Sequence, residues 1–293
     1  MTTNQQPHAR YSDALLKLGM PVQWDAPANV LAFMTQRSGG VSQPPFDTLN
    51  LGSHVGDDPR SCEANRQLLA QGLGLKPSFM RQVHGTHAHV LTESSAQENV
   101  QADAVVCATP GLVATVMVAD CLPVLFAHKR LPVVGAAHAG WRGLAGGVLQ
   151  ATLAAMAQQA HCSVPALCRE LSVWLGPCIG PSAFEVGSEV RHAFVEQPRV
   201  FARASDCFAP QVGAVGNDLG NVACDAAPTK YKANLPHLAA QLLGGLGVSH
   251  VHGNDGTLPW CTVANSDLYF SHRRDSAVLG SSGRMAALIG LLA

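Results

Sequence analysis

The sequence predicts a single α+β domain, and three observations carry that reading. Short apolar runs rich in β-branched residues recur at 102–107, 113–119 and 122–127, as buried strands do. An Ala- and Leu-rich segment from Leu144 to Gln159 repeats its apolar residues three and four apart, the spacing of one helix face. No fixed-period repeat and no Pro- or Gly-rich linker divides the 293 residues, of which 47% are hydrophobic, enough for a sizeable core.

Taken in order, residues 24–36 contain a strand that ends in the glycine-rich loop Arg37-Ser38-Gly39-Gly40-Val41-Ser42. A helix is expected over Asp57 to Leu73, with Asp58 as its cap and Pro59 in its first turn. Phe79 to Leu91 reads as a strand pair around His84, and the three apolar runs that follow read as a meander, with Pro123 at a bulge or an edge. Val133 to Ala137 is a strand that feeds the helix of Leu144 to Gln159 through a glycine turn. Leu171 to Leu175 is a strand closed by Gly176-Pro177, and Glu185 to Phe194 reads as helix. Periodicity lapses from Gln197 to Asn217, which marks an irregular excursion. Lys230 to Leu246 reads as helix with Pro236 near its start. A strand through Tyr269-Phe270, a basic turn His272-Arg273-Arg274-Asp275 and a final strand from Met285 to Leu291 close the chain.

Composition excludes several functions. The net charge is −1, the pI about 6.9 and only 13% of residues are charged. That leaves no basic face for nucleic acid and no polybasic stretch for an anionic membrane, so a small ligand is expected. The opening Met1 to Arg10 is polar, and no apolar stretch approaches the ~20 residues of a bilayer span, which points to the cytoplasm. Nine cysteines without a C-x-x-C pair read as reduced thiols, mostly small core residues.

The chemistry concentrates in three places. Cys121 lies in Asp120-Cys121-Leu122-Pro123, His138 in Ala137-His138-Ala139-Gly140-Trp141-Arg142-Gly143, and His84 in Gln82-Val83-His84-Gly85, each read as the end of a strand. They are too far apart in sequence for a zinc-finger knuckle, but two imidazoles and one thiolate are a donor set for a catalytic zinc with one position open. The competing readings are a buried structural thiol and hydrogen-bonded core histidines. Gly39-Gly40 and Gly176-Pro177 read as tight turns, since neither has the spacing of a phosphate loop. Arg273-Arg274 is either a solvated turn or a substrate contact, and Asp120, Asn50 and Glu185 have structural readings beside functional ones. Two His-x-His pairs, His87/His89 and His250/His252, invite copper, yet a multicopper oxidase also needs a His-Cys-His relay, and none occurs. The His-x-Glu and Pro-Cys-x-x-Cys signature of the zinc deaminases is absent as well.

Seven motifs stand in one register: Thr35-x-Arg37-x-Gly39-Gly40-Val41-Ser42, Asn50-Leu51-Gly52, Gln82-Val83-His84-Gly85, Ala119-Asp120-Cys121-Leu122-Pro123, His138-Ala139-Gly140-Trp141-Arg142-Gly143, Gly176-Pro177-x-Ile179-Gly180, and Cys261-Thr262 with Phe270-Ser271-x-Arg273-Arg274. In this the chain resembles the YfiH-like, laccase-domain proteins, once called multi-copper polyphenol oxidases, over roughly residues 28–291, leaving 1–27 as an N-terminal extension. The resemblance implies a four-layer α/β/β/α sandwich, shared with cysteine-hydrolase-like toxins, and a zinc on His84, Cys121 and His138. It implies a purine nucleoside phosphorylase that uses adenosine, inosine or guanosine with phosphate, cleaves methylthioadenosine and deaminates adenosine. His272 departs from the pattern, which has an aromatic residue there, and Cys224 to Thr229 reads as an insertion.

Within that reading, Arg142 and, across the cleft, Arg37 form a phosphate clamp, with glycines 140 and 143 and the helix start beside them open to an anion. Asn50 and Arg274 complete the expected substrate contacts. A rival reading makes Cys121 a nucleophile with His138 as base, cleaving amides such as cell-wall precursor peptides. Copper oxidation of polyphenols ranks third. The oligomeric state has no signature in the sequence.

Overall fold

A computed structural model describes residues 11–96, 100–211 and 230–292. Three sheets organise it. The first runs β1 (Gly19–Pro21), β2 (Val30–Thr35), β14 (Met285–Leu291), β6 (Val113–Val118), β3 (Pro77–Phe79). The second runs β13 (His250–Gly253), β9 (Leu171–Leu175), β7 (Leu122–His128), β8 (Val134–Ala139), β5 (Ala104–Cys107), β4 (Ala88–Val90). A small third sheet joins β10 (Glu185–Gly187), β12 (Lys230–Ala233) and β11 (Phe208–Gln211). The helices are α1 (Asp13–Leu16), α2 (Pro59–Leu73), α3 (Trp141–Gly146), α4 (Val148–Gln159), α5 (Val164–Arg169), α6 (Ser188–Val195), α7 (Leu235–Gly245) and α8 (His272–Leu279).

Strand alternation builds the layers. In β2 and β14, Val30, Ala32, Met34, Ala287 and Ile289 face a middle cluster, whereas Leu31, Phe33, Ala286 and Leu288 face Leu15 of α1 and Leu69 of α2. In β7 and β8, Leu125, Ala127, Val134 and Ala136 enter the same middle cluster. Their neighbours Leu122, Val124, Phe126 and Ala137 face Leu149, Leu153 and Met156 of α4, with α5 and α7 beside them. Along the stack the order is helices, five-stranded sheet, six-stranded sheet, helices. Strands buried on both faces show no polar alternation, which is why 104–107 is continuously apolar and 113–118 is apolar but for the buried Thr115, whose hydroxyl bonds to the Val113 carbonyl.

Several expectations are corrected. The three apolar runs are strands but no meander, because β6 lies in the first sheet and β5 and β7 in the second. Likewise β3 and β4 flank His84 without pairing with each other. Pro123 sits in a central strand, at the second residue of β7, where its missing donor falls at the end of the ladder. The helix expected over Leu144 to Gln159 breaks at Gly147, whose φ of 101° ends α3 and starts α4. Glu185 and Lys230 open strands, not helices, and α7 begins after Asn234 caps it, with Pro236 in its first turn. No strand passes Tyr269-Phe270, and the basic turn is the first turn of α8, capped by Ser271. The excursion after Gln197 carries a 3-10 turn over Ala204–Cys207 and then β11; its end at 212–217, and the stretch 224–229, lie outside the described residues. Of the expected N-terminal extension, residues 11–27 pack on the domain, with α1 under the first sheet and β1 paired with β2. The capped helix at Pro59 and the final strand at Met285 are as expected.

Phe126 is fully buried under the second sheet. Phe126→Ala should therefore cost about 3–5 kcal/mol, read as a lowered urea midpoint. A shift typical of an exposed position would contradict this packing.

Candidate functional site

The chain passes from the first sheet to the second twice, between β3 and β4 and between β6 and β7, and both crossings open on the same rim. His84 rides the first crossing and Cys121 the second, just before β7. Neither is at a strand end, as the sequence reading had it. His138 is near the end of β8, opposite Pro123 in the adjoining strand. The hairpin of β7 and β8 therefore brings the thiol and the imidazole together.

His84 and Asp120 hold backbone φ values of 60° and 85°, a region that disfavours side chains. Each is held there by bonds to neighbouring segments. Val83, His84 and Gly85 all donate their backbone N–H to the buried Asp103 carboxylate, at 3.1, 2.9 and 2.7 Å. Asp103 also takes His138 Nδ1 at 2.8 Å, which fixes the ring and leaves Nε2 turned to the site. Asp120 accepts from Thr262 Oγ1 and from the Arg273 backbone, both at 2.6 Å, so it ties the turn to the first residues of α8. Gln82 is fastened to β6 by a reciprocal pair of bonds with Met117, at 2.8 and 2.7 Å.

The donor atoms of His84, Cys121 and His138 lie within 4.8 Å of one another, with Cys121 Sγ 3.7 Å from His84 Nε2. The two rings meet edge to face at 4.8 Å between centroids. Gly140 makes the room: a Cβ there would stand 2.9 Å from Cys121 Sγ and 3.0 Å from a His84 ring carbon. Burial alone would push the Cys121 thiol up, but the charge of His138 and hydrogen bonds from both imidazoles bring it down to about 6. Burial would push His138 down, yet Cys121 and Asp103 raise it to about 9. Without a metal, thiolate and imidazolium therefore coexist between those values, and a cation that binds displaces the His138 proton to take the thiolate and both imidazole nitrogens.

These residues line a cavity of about 430 Å³, within the range of about 300–1,000 Å³ usual for small-molecule sites. Arg142, Arg273 and Arg284 also line it, with His54, His272 and Asp120, so three guanidiniums share the cavity with the thiolate. The Arg142 guanidinium stacks on the Trp141 ring at 4.3 Å and has no carboxylate partner among the described residues. Arg284 spends two bonds on the carbonyls of Ser282 and Gly283 and likewise pairs with no carboxylate among them.

Three expected substrate contacts fall elsewhere. Arg37 pairs with Asp47 at 3.1 Å, donates to the Ser266 carbonyl and stacks on Phe270, in a separate depression, because an adjacent carboxylate captures its charge. Asn50 is buried and accepts the backbone N–H of Gly52 and of Arg284, each at 2.9 Å, so it sets the start of β14 and with it Arg284. Arg274 pairs with Asp275 and clamps the carbonyls of Thr262, Val263 and Tyr269. Only Arg142 of the four lines the cavity. The sequence reading missed Asp103, His54 and Arg284 as site residues. Asp103 had a signal, a lone carboxylate opening an apolar run, whereas Arg284 had none. The pair His87/His89 joins no three-donor group among the described residues, whereas His250/His252 meets Asp25.

Residues 31–292 match the family model described as multi-copper polyphenol oxidoreductase laccase. The chain is similar to a purine nucleoside phosphorylase of Pseudomonas aeruginosa, 45% identical over 92% of this chain and 96% of that one. It is similar to purine nucleoside phosphorylase YfiH of Escherichia coli, 42% identical over 94% of this chain and 99% of the relative. A crystal structure of a Neisseria meningitidis protein superposes with a TM-score of 0.78 at 41% identity, covering 94% of this chain and all of that one.

Two measurements test the geometry. In metal-free protein, alkylation of Cys121 should rise with pH through a midpoint near about 6; the midpoint of roughly 8.5 of an ordinary thiol would contradict the thiolate and imidazolium pair. Asp103→Asn should lower metal affinity about 10- to 100-fold, read by competition with a chelator; unchanged affinity would remove Asp103 from the centre.

Proposed function

The chain belongs to the YfiH-like, laccase-domain family, and from that premise we propose that it is a zinc-dependent purine nucleoside phosphorylase. The observation that carries the reading is one cavity lined by a thiolate, two imidazoles and two arginines that pair with no carboxylate among the described residues. In this proposal the substrates are adenosine, inosine or guanosine and methylthioadenosine, each with phosphate, and adenosine is deaminated as a side reaction.

His84, Cys121 and His138 would hold the zinc. The fit rests on the donor set, on Asp103 supporting one imidazole, and on the space that Gly140 leaves. Bound there, zinc supplies a fixed positive charge and Lewis acidity. The same donors suit copper in electron-transfer centres, but phosphorolysis exchanges no electrons, and zinc is therefore the metal proposed.

Phosphorolysis breaks the bond between the ribose anomeric carbon and the purine nitrogen, whose electrons leave with the base, and forms a carbon–oxygen bond to phosphate. The protein's task is to hold the anion beside a cationic sugar centre and to stabilise the departing base. Arg142 and Arg284 are placed to bind the phosphate, Arg142 pre-stacked on Trp141 and Arg284 seated by Asn50. Phe184 and Trp141 give the apolar surface on which a purine can lie. The partners are a nucleoside and phosphate, with neither nucleic acid nor membrane among them, and the proposed compartment is the cytoplasm. No helix among the described residues is long and apolar enough to cross a membrane.

One observation favours a second reading. Cys121, His138 and Asp103 also stand as a nucleophile, a base and the group that orients the base, the arrangement of a thiol amide hydrolase.

Purified protein given inosine or adenosine should yield free base and ribose 1-phosphate only when phosphate is present; equal base release without phosphate would leave hydrolysis. Arg142→Ala should raise the KM for phosphate about 10- to 100-fold, the loss of a charged hydrogen bond of ~1.5–3 kcal/mol, with zinc content unchanged. Cys121→Ala should lose zinc and activity together. Full activity in zinc-free protein, abolished by alkylation of Cys121, would promote the hydrolase.

A further inference from the structure

We propose that Asp25, His250 and His252 form a second metal site, distinct from the cavity, that takes a divalent transition-metal ion such as Zn²⁺. His250 and His252 are two apart in the edge strand β13 and so present their rings on one face of it. Asp25 comes from the segment before β2, whose neighbours Trp24 and Ala26 pack against the middle cluster and anchor it. Its two oxygens meet the two rings separately, Oδ2 with His250 Nδ1 at 3.1 Å and Oδ1 with His252 Nε2 at 2.6 Å.

All three donor atoms lie within 4.8 Å of one another. A tetrahedral ion with bonds of about 2.0–2.1 Å sets its donors about 3.3 Å apart. The rearrangement is thus an ångström or so, in side chains 31–44% exposed that an ion reaches without unfolding. Two imidazole nitrogens and one carboxylate suit zinc, nickel or copper and not the all-oxygen preferences of calcium or magnesium. Ser172, fully buried in β9, donates to Asp25 Oδ1, the support that a ligating carboxylate commonly has. One group works against the ion: Lys129 Nζ sits 2.7 Å from Asp25 Oδ2 and must swing out to solvent when the ion binds. The ion then replaces the ammonium and the ring protons as what neutralises Asp25. It would cross-link the segment entering the first sheet to the edge of the second.

The test uses zinc-loaded enzyme freed of loose metal, dialysed against Zn²⁺ and analysed for metal. One further equivalent should bind, and the double variant His250→Ala/His252→Ala should keep the first equivalent, lose the second and retain nucleoside turnover. Lys129→Gln, which removes the competing ammonium, should bind the second equivalent about tenfold more tightly, a change of ~1.4 kcal/mol. In Cys121→Ala, one equivalent should remain, which separates this site from the cavity centre whatever the latter holds. No further uptake at millimolar zinc, uptake that survives in the double histidine variant, or unchanged affinity in Lys129→Gln would each overturn the proposal.

Discussion

The site depends on one buried carboxylate. Asp103 is 1% exposed, and a carboxylate that deep costs several kcal/mol unless its oxygens are paired. Here four donors meet it: the backbone N–H groups of Val83, His84 and Gly85, and the His138 ring. Its own carbonyl takes the His138 backbone at 2.7 Å. Burial raises the Asp103 carboxyl, but His138 and the donors from Gly85 and Val83 outweigh it and keep it below its ordinary value. One residue thus curls the first crossing into the shape that places His84, and it turns His138 toward Cys121.

Around that hub the motifs make sense as ties. Asp120 ties the second crossing to Thr262 and α8, Gln82 ties the first crossing to β6, and Asn50 ties the Asn-Leu-Gly loop to the residue that starts the approach to β14. Gly52 permits the last of these, because a Cβ there would stand 2.7 Å from the Arg284 side chain. Residues far apart in sequence are joined by such bonds at the rim where the two sheets exchange strands. Arginines and a thiolate are brought to one cavity by polar contacts that have no apolar substitute.

The parts of this that sequence makes legible are those with local causes. Asp58-Pro59 marks the start of α2 because capping and a fixed φ act within one turn, and β14 is visible because a strand buried on both faces must be apolar throughout. The three donors were legible as residues that motifs single out, though the loop positions of His84 and Cys121 were not. Partnering was not legible. Strand pairing is non-local, so β6 reads as a neighbour of β5 and β7 while it crosses to the other sheet. The arginines show the same limit: Arg37 and Arg142 look alike in their glycine-flanked motifs, and only the fold shows that Asp47 engages one and leaves the other to the cavity. Arg284 stands in no motif, and its role comes from a buried Asn50 more than two hundred residues away.

The central claim is that a thiolate and two imidazoles from these crossings hold one metal ion, and X-ray absorption at the zinc edge tests it most directly. In protein with one equivalent bound, the account predicts one sulfur at about 2.3 Å and two imidazole nitrogens at about 2.0–2.1 Å, with the sulfur shell absent from Cys121→Ala. A first shell of nitrogen and oxygen alone in the parent protein, with turnover intact, would contradict it.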